Sequence, residues 1–470
     1  MAGQIAPSPG FNLTPSPTQQ ALANNYITNF DFLSQYLPDT YEKEFERYGN
    51  RSVSSFLRMV GAEMPSNSDL IKWAEQGRLH TKYDNCASGG NAGDDTATIT
   101  ITDANLANGE QAIRKGQTVY IYDNDGAGGN KAIVTSVASN AKTFDVAYYE
   151  AGGQVGASGL TRSVFVYGSE FGKGIEGMVG SLEADDQIFE CKPIIIKDKY
   201  AVSGSDMAQI GWVEVTTENG ATGYLWYLKS EHETRLRFDD YLETAMLEAV
   251  PAETNSGAIA ASVGSGGTDG IFHVVGTRGN LWSGGNPSSL TDFDTIIQRL
   301  DKQGAIEENV LFVDRQFSFD IDDMLAAQNS YGTNGTSFGL FDNDRDMALN
   351  LGFTGFRRGY DFYKSDWKYL NDPTMRGGMD TTAGSGRING LLVPAGSTTV
   401  YDQVLGKNAK RPFLHVRYRA SETEDRRYKT WMVGSAGGAM NSDLDAMEVH
   451  FLSERACCTT GANNFFLFEQ

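Results

Sequence analysis

The sequence lacks the features of a membrane or secreted protein. No run approaches the roughly 20 apolar residues that a membrane-spanning helix needs, so we expect no membrane partner. The N-terminus has neither the basic nor the apolar region of a signal peptide, which favours a cytoplasmic setting. Only four cysteines occur, at positions 86, 191, 457 and 458, and their spacing matches neither a zinc site nor a disulfide framework. We therefore expect reduced thiols.

Patterns that carry chemistry are also scarce. Residues 335–339 fit the nucleophile-elbow string, but a loop-like stretch precedes them where that motif needs a buried strand. Residues 167–174 have the wrong glycine spacing for a phosphate loop. Aspartate-rich turns around Asp123 and Asp344 resemble calcium loops, but a solvated turn is the simpler interpretation of each. The five histidines are widely separated. We predict no catalytic residue, no cofactor and no metal.

Charge is distributed unevenly along the chain. The net charge of −21 argues against the chain as a whole wrapping nucleic acid. Residues 351–430 nevertheless hold 14 lysines or arginines against 8 acidic residues, including Arg357, Arg358, Arg426 and Arg427. We favour ion pairs with acidic residues of the same chain or of a neighbouring copy, and these four arginines are candidate contacts between subunits. Contact with DNA phosphates is the alternative.

The N-terminal region has the composition of an extended arm. Residues 1–20 are rich in Pro, Ser, Gln and Thr, and short segments with apolar residues at helical spacing follow. Tyr26, Phe30, Phe32 and Tyr36 lie in this region, where several aromatic faces have no obvious partner within the segment. We predict that they contact other subunits, although an ordinary helical subdomain would give the same pattern.

The middle of the chain predicts an all-β module and then a long helix. Strict alternation at Thr98–Thr102 and several hairpin-like runs, bounded by Gly/Ser clusters, indicate an inserted barrel or sandwich at about residues 87–168. Residues 224–250 carry the longest helical pattern. The residues expected on its apolar face are Leu225, Leu228, His232, Leu236, Leu242 and Met246.

An alternation of strands and helices follows the long helix. The run IFHVVG (271–276) predicts a short strand, SSLTDFDTIIQRLDKQG (288–304) a helix, NVLFVD (309–314) a buried strand and FDIDDMLAAQN (319–329) a second helix. Further strands are expected in GLLVPA, FLHVRYR and TWMVGSAG. No fixed period repeats along the chain, so a solenoid or propeller is excluded.

The sequence ends on an unusually apolar stretch. Phe465, Phe466, Leu467 and Phe468 do not alternate with polar residues, so a strand here must be buried on both faces. We expect this segment to anchor the C-terminus, with the long helix on one side and a subunit or a sheet on the other.

The order of these segments resembles the major capsid proteins of tailed double-stranded DNA phages, which have the Hong Kong 97-like fold. The resemblance rests on YITNFDFLSQYLPDTYEKEF, LWYLKSEHETRLRFDDYLETAMLEAV, SLTDFDTIIQRLDKQGAIEENVLFVD and DAMEVHFLSERACCTTGANNFFLFEQ. It implies an α+β fold. The implied parts are an N-terminal arm (1–70), an extended loop (71–222) holding the β module, a peripheral domain with the spine helix (223–305), an axial domain (306–425) and C-terminal strands of the peripheral domain (426–470).

The resemblance also implies a structural role and its partners. Such proteins form hexamers and pentamers that close into an icosahedral head around packaged DNA, so the implied location is the virion capsid, assembled in the bacterial host cytoplasm. A separate scaffolding protein, a portal and decoration proteins are implied partners. Three alternatives remain open: a tail or decoration protein, an encapsulin-like compartment shell, and a hydrolase with an accessory β domain.

Overall fold

The structure is a computed structural model that mixes helices and strands, as the sequence predicts. It describes residues 56–57, 62–102, 111–124, 126, 128–138, 142–156, 161–182, 186–210, 214–216, 222–223, 226–260, 266–304, 306–328, 354–379, 386–402, 407–438 and 440–470. The chain divides into two compact units, which are described separately. The larger unit holds residues 52–198, 238–430 and 451–470, and the smaller unit holds residues 1–51, 199–237 and 431–450.

The strands and helices of the described residues are numbered in chain order. The strands are β1 (Ala62–Ser66), β2 (Ile71–Gln76), β3 (Lys82–Ser88), β4 (Thr96–Thr100), β5 (Gln117–Asp123), β6 (Gly128–Val137), β7 (Thr143–Tyr148), β8 (Thr161–Ser169), β9 (Asp186–Cys191), β10 (Ile194–Ser203), β11 (Val215–Thr216), β12 (Thr222–Gly223), β13 (Asn280–Trp282), β14 (Glu308–Val313), β15 (Gly355–Arg358), β16 (Tyr360–Asp366), β17 (Ile388–Pro394), β18 (Ser397–Asp402), β19 (Lys407–Pro412), β20 (Leu414–Arg419), β21 (Lys429–Gly434), β22 (Ala446–Thr459) and β23 (Phe466–Glu469). The helices are α1 (Gly204–Met207), α2 (Trp226–Glu248), α3 (Gly257–Ala260), α4 (Ile271–Arg278), α5 (Leu290–Asp301), α6 (Arg315–Gln328) and α7 (Lys368–Asn371).

The inserted β module is a closed barrel in the larger unit. Its strands are ordered β3-β4-β7-β6-β5-β8, and β8 pairs back with β3. The alternation in the sequence places Ala97 and Ile99 of β4 inside, where Val119, Val134 and Phe144 complete an apolar core. Closure leaves no unpaired edge among these strands. The barrel runs from residue 82 to residue 169, so its first strand begins before the Gly/Ser cluster that suggested the boundary at 87.

A six-stranded sheet in the larger unit has the order β13-β23-β17-β14-β16-β15. Every residue of β17 is buried, because helices cover both faces of the sheet. One face packs on a core that includes Met246 and Leu247 of α2 and Ile271 of α4. The other face packs on a core that includes Phe293 of α5 and Phe317 of α6. The terminal strand, β23, lies between β13 and β17 and not at an edge of the sheet.

The predicted division into axial and peripheral segments does not follow the sheets. β23, from the segment 426–470, pairs with β17 and β13, which come from the other two segments. The strand β22 instead pairs with β20. Strand neighbours depend on complementary buried faces and not on proximity in sequence. The predicted domain boundaries therefore separate strands that are paired with each other in the structure.

The predicted N-terminal arm is too long at its C-terminal end. β1 pairs in parallel with β20 of the same chain, from Ala62↔His415 to Ser66↔Arg419. Phe56 is fully buried, and its ring stacks on Trp367 at a centroid distance of 4.6 Å. Its backbone N–H donates to Oε1 of Glu243 over 3.0 Å. An aromatic side chain near the start of a globular core is readily enclosed by it, and residues 56–57 and 62–70 are part of the chain's own fold.

Two predictions about helices need correction. The run 271–276, predicted as a strand, begins helix α4, in which Ile271, Phe272, Val274 and Val275 are buried at helical spacing. A short apolar run does not distinguish a strand from a buried helix by its pattern alone. In α2 the apolar face is also different from the prediction. Leu228 is 48% exposed, whereas Phe238, which the prediction omitted, is fully buried.

The smaller unit is described through residues 199–210, 214–216, 222–223, 226–237, 431–438 and 440–450. Ser203 caps the short helix α1, because its side chain accepts the N–H of Asp206. Lys199 lies 3.4 Å from Glu448, and the Trp431 and His450 rings stack at 5.2 Å.

Candidate assembly surfaces

The C-terminal anchor is buried on both faces, which confirms that part of the prediction. Phe465 and Phe466 are 0% exposed and Leu467 and Phe468 are 1% exposed. Phe465 and Leu467 belong to the core that contains α2, whereas Phe466 and Phe468 face α5 and α6. The long helix therefore covers one side, as expected. Helices of the same chain, and not a neighbouring subunit or a second sheet, cover the other.

The four candidate arginines already have acidic partners within the chain. Arg357 lies 3.3 Å from Asp361, and Arg358 pairs with Asp294. Arg426 Nε lies 2.6 Å from Glu454, and Arg427 pairs with Glu63. Ion pairing within the same chain is thus confirmed for all four. Their contact with other subunits stays a prediction, to which the exposed Arg357 is best suited because 72% of its side chain is accessible.

A charge cluster around the buried Arg455 joins β1 to the C-terminal strands of the larger unit. Arg455 is 5% exposed, lies 3.5 Å from Glu63 and donates through Nε to Ser453 over 3.0 Å. Burial lowers the pKa of Arg455, whereas the Glu63 carboxylate opposes this effect. Arg427 shares Glu63. Removing Glu63 would leave the buried arginine without this counter-charge, which is a costly arrangement.

The aromatic residues of the predicted arm lie outside the described residues. This applies to Tyr26, Phe30, Phe32 and Tyr36, and their contact with other subunits stays a prediction. The elbow-like string 335–339 and the aspartates at 342–346 also lie outside them. Asp123, expected in a solvated turn, is 1% exposed and occupies the position paired with Arg162, which is equally buried.

A two-stranded ribbon, formed by β2 and β9, leads from the sheets to the barrel. One face packs on the chain, since Ile71 and Cys191 join a buried cluster with Ala456 and Cys458. The opposite face is open. It carries Ala74 beside Ile188, which is 69% exposed, and the Lys72–Glu190 ion pair at 3.1 Å. A two-stranded ribbon by itself is marginal in water, and contacts of the packed face, including the bond from the Gly461 N–H to Glu75 Oε1 over 2.9 Å, support this one.

The segments between ribbon and barrel expose further large apolar side chains. Leu79, on the way to the barrel, is 92% exposed, and Ile175 and Val179, on the way back, are 67% and 72% exposed. Phe171, Met178 and Leu182 are each about two-fifths exposed. We call residues 171–182, Leu79 and Ile188 the apolar connector. These exposed apolar side chains are candidates for an interaction surface.

All four cysteines are free, as expected, and the structure also buries all four. Cys191 Sγ lies 3.2 Å from Thr268 Oγ1 and 3.3 Å from the Cys457 carbonyl oxygen. A hydrogen bond from Cys458 lowers the pKa of Cys191 to about 7, although burial acts in the opposite direction. The same bond, followed by burial, raises the pKa of Cys458. Their burial gives these thiols a packing role in the structure.

Neither a metal cluster nor a spanning helix occurs in the described part of the chain. No group of three or more His, Cys, Asp or Glu side chains is arranged to hold an ion there. Nor is any helix in those residues both long and apolar enough to cross a bilayer.

Comparison with known proteins finds similarity to solved structures only. No protein-family model matches the chain, and the search of curated proteins gives no match. A chain from Microbacterium phage Oxtober96 is 11% identical, with a TM-score of 0.39, over 94% of this chain and 99% of that one. A chain from the capsid of a native GTA particle is 8% identical, with a TM-score of 0.39, over 95% and 99%. A chain from the cyanophage Pam1 capsid is 13% identical, with a TM-score of 0.35, over 64% and 82%.

In all three cases the sequence identity is low and the superposition on this chain is loose. The function is therefore inferred from the contacts and exposed surfaces of the chain itself.

Proposed function

We propose that this chain is the structural major capsid protein of a tailed double-stranded DNA phage, with the Hong Kong 97-like arrangement of arm, extended loop, spine helix, peripheral domain and axial domain. In this proposal it assembles with itself into the hexamers and pentamers of an icosahedral head. A separate scaffolding protein, a portal and decoration proteins are its expected partners, and packaged DNA lies on the inner face. It acts by assembly and not by catalysis.

The observation that carries this proposal is the apolar connector, which lies on the ribbon at Ile188 and otherwise between the ribbon and the barrel. Ile175, Val179 and Ile188 are each more than two-thirds exposed in the single chain. Removing one such side chain from water is worth about 1.5–3 kcal/mol. Burying these side chains between copies would favour association at this surface, although the net charge of −21 opposes it by mutual repulsion.

The position of the connector supports association between copies. The ribbon begins at Ile71 and Cys191, which are anchored in the larger unit, and Ile188 lies on its open face. An extended two-stranded segment of this kind suits a clasp over a neighbouring subunit. Arg357 is exposed and could make a polar contact with a neighbouring subunit while it keeps its ion pair with Asp361.

The test compares Ile188→Lys with Ile188→Leu in the full chain, coexpressed with a candidate scaffolding protein. Ile188 is 69% exposed, so neither substitution should disturb the fold of the subunit, which thermal unfolding monitors. Wild type and Ile188→Leu should form closed shells in negative-stain images and in sedimentation. Ile188→Lys should remain as unassembled subunits, because a charge cannot be buried without a partner.

Two outcomes would contradict the proposal. A wild-type chain that stays monomeric at high concentration with scaffold present has no shell-forming role. If Ile188→Lys forms shells as well as the wild type does, the apolar connector does not lie in an interface between subunits. A nuclease-protection assay on particles purified from infected cells distinguishes two kinds of shell. Protected DNA indicates a phage head, whereas its absence indicates a compartment that encloses enzymes.

A further inference from the structure

One side of the barrel carries a groove with three tyrosine rings. Strands β5, β6 and β8, with the turn after β7, enclose a cavity of about 720 Å³ lined by Tyr120, Tyr149 and Tyr167. Tyr149 and Tyr167 are 49% and 45% exposed, so part of each side chain is accessible to a ligand. We call this cavity the tyrosine groove. It shares no residue with the apolar connector, and its role does not depend on the proposed capsid function.

Polar contacts hold the rings of the groove in place. The Tyr149 hydroxyl donates to Oε2 of Glu170 over 2.6 Å, and Lys131 Nζ lies 5.8 Å from the centre of the Tyr167 ring. Asn130, which also lines the groove, donates to the Gly153 carbonyl oxygen over 2.7 Å. Partial burial and the bond to Glu170 raise the pKa of Tyr149 to about 12. The hydrogen bond to Glu170 sets the direction of the Tyr149 hydroxyl.

Gly129 keeps the floor of the groove open. A Cβ atom at this position would lie 2.7 Å from the Ile121 carbonyl oxygen and 2.9 Å from the Tyr120 hydroxyl. Any larger residue would push the Tyr120 ring out of its place. The close approach of the β6 backbone to this ring gives the cavity its depth.

We propose that the tyrosine groove binds a neutral glycan. Pyranose rings present polarised C–H groups that pack on the electron-rich faces of aromatic rings, and two half-exposed tyrosines offer such faces. Sugar hydroxyls would donate to the carboxylates of Glu150 and Glu170 and accept from Lys131, all of which line the cavity. The volume lies within the range of about 300–1,000 Å³ that is typical of small-molecule sites.

The barrel disfavours two other classes of ligand. An extended peptide could not add a strand here, because β5, β6 and β8 each pair on both sides within the closed barrel. An anionic ligand, such as a nucleic acid or an acidic polysaccharide, would meet two carboxylates and one lysine in the lining. A neutral, hydroxyl-rich ligand satisfies both constraints.

The test titrates the full chain with chitotriose, cellotriose and mannotriose, observed by ligand-detected NMR and calorimetry. We expect at least one of these sugars to bind with a millimolar or better Kd. Tyr149→Ala and Tyr167→Ala should each weaken it by about tenfold or more, which corresponds to 1.4 kcal/mol. Tyr122→Ala is the matched control, because Tyr122 is 43% exposed on the same barrel but does not line the groove.

The outcomes are decisive in both directions. Sugar binding that is lost in the two groove variants and kept in Tyr122→Ala supports the proposal. Wild-type protein that binds none of the three sugars overturns it, as does binding that survives both groove substitutions. A random peptide library tests the alternative ligand class. The proposal would also be overturned if the groove bound peptides but none of the sugars. Shell assembly should be unaffected in all three variants, which separates this result from the test of capsid function.

Discussion

Replacing Phe466 by alanine tests the double burial of the terminal strand. Phe466 is fully buried, its ring stacks on Phe468 at 5.4 Å, and it faces the core formed with α5 and α6. Truncating a buried phenylalanine costs about 3–5 kcal/mol, because the lost transfer energy adds to the cost of the cavity. We expect the upper part of this range, since the rings of Phe293 and Phe317 in the same core leave little freedom to collapse.

Hydrogen exchange is the appropriate assay, because a chain of this size is unlikely to unfold in a single two-state step. β17 pairs directly with the terminal strand, including the register pair Leu392↔Phe466. A loss of 3–5 kcal/mol should raise exchange at the most protected amides of β17 by about two to four powers of ten. The barrel has its own separate core, so amides of β6 should keep their protection.

Phe319→Ala is the matched control for this experiment. Phe319 lies on α6 but is 51% exposed, so its truncation should change stability by no more than about 0.5 kcal/mol. Equal losses of protection in β17 and β6 would refute the assignment of independent cores. A loss below 1 kcal/mol in β17 would show that the terminal strand is not the structural anchor described above.

Two further predictions concern α5 and its neighbour Tyr360. Ser289→Ala removes a capping box that Ser289 forms with Asp292, and should cost about 0.5–2 kcal/mol by chemical denaturation, whereas Ser288→Ala should have little effect. Burial, followed by the bond to Asp301, raises the pKa of Tyr360 from 10.0 to about 12. The unfolded state therefore ionises first, and this stabilisation should be complete below pH 10 and decline between pH 10 and 12. Tyr360→Phe should show a shallower decline across that window, and an unchanged slope would contradict the assignment.

Elements with strong local signals could be predicted from sequence. Helix α5 has a cap at Ser289, an apolar face at Phe293, Ile296 and Leu300, and a glycine at 304, so that local and tertiary preferences agree. The barrel strands were recognisable because each has one buried and one exposed face, which produces alternation. The terminal strand was recognisable for the opposite reason. Its apolar residues do not alternate with polar ones, which indicates a strand that is buried on both faces.

Features that depend on distant residues could not be predicted in this way. Nothing near Phe238 shows that it packs on Tyr428 and Phe451, with ring centres 5.3 Å and 5.7 Å away. The local excess of arginine indicated ion pairing but not the partners, because Glu63 is more than 350 residues from Arg427 in sequence. The tyrosine groove was also missed, because its rings come from three different parts of the barrel sequence.

The way in which the barrel is inserted explains how one chain could carry two independent surfaces, the apolar connector and the tyrosine groove. The chain enters the barrel at Lys82 and leaves it beside the same point, since Lys82 pairs with Phe165. The ribbon has the same property, because Gln76 pairs with Asp186. Segments whose ends lie side by side can be added to a fold without separating the strands that flank them. Substitutions in the tyrosine groove should therefore alter ligand binding while the apolar connector and the two helix-covered sheet faces keep their geometry.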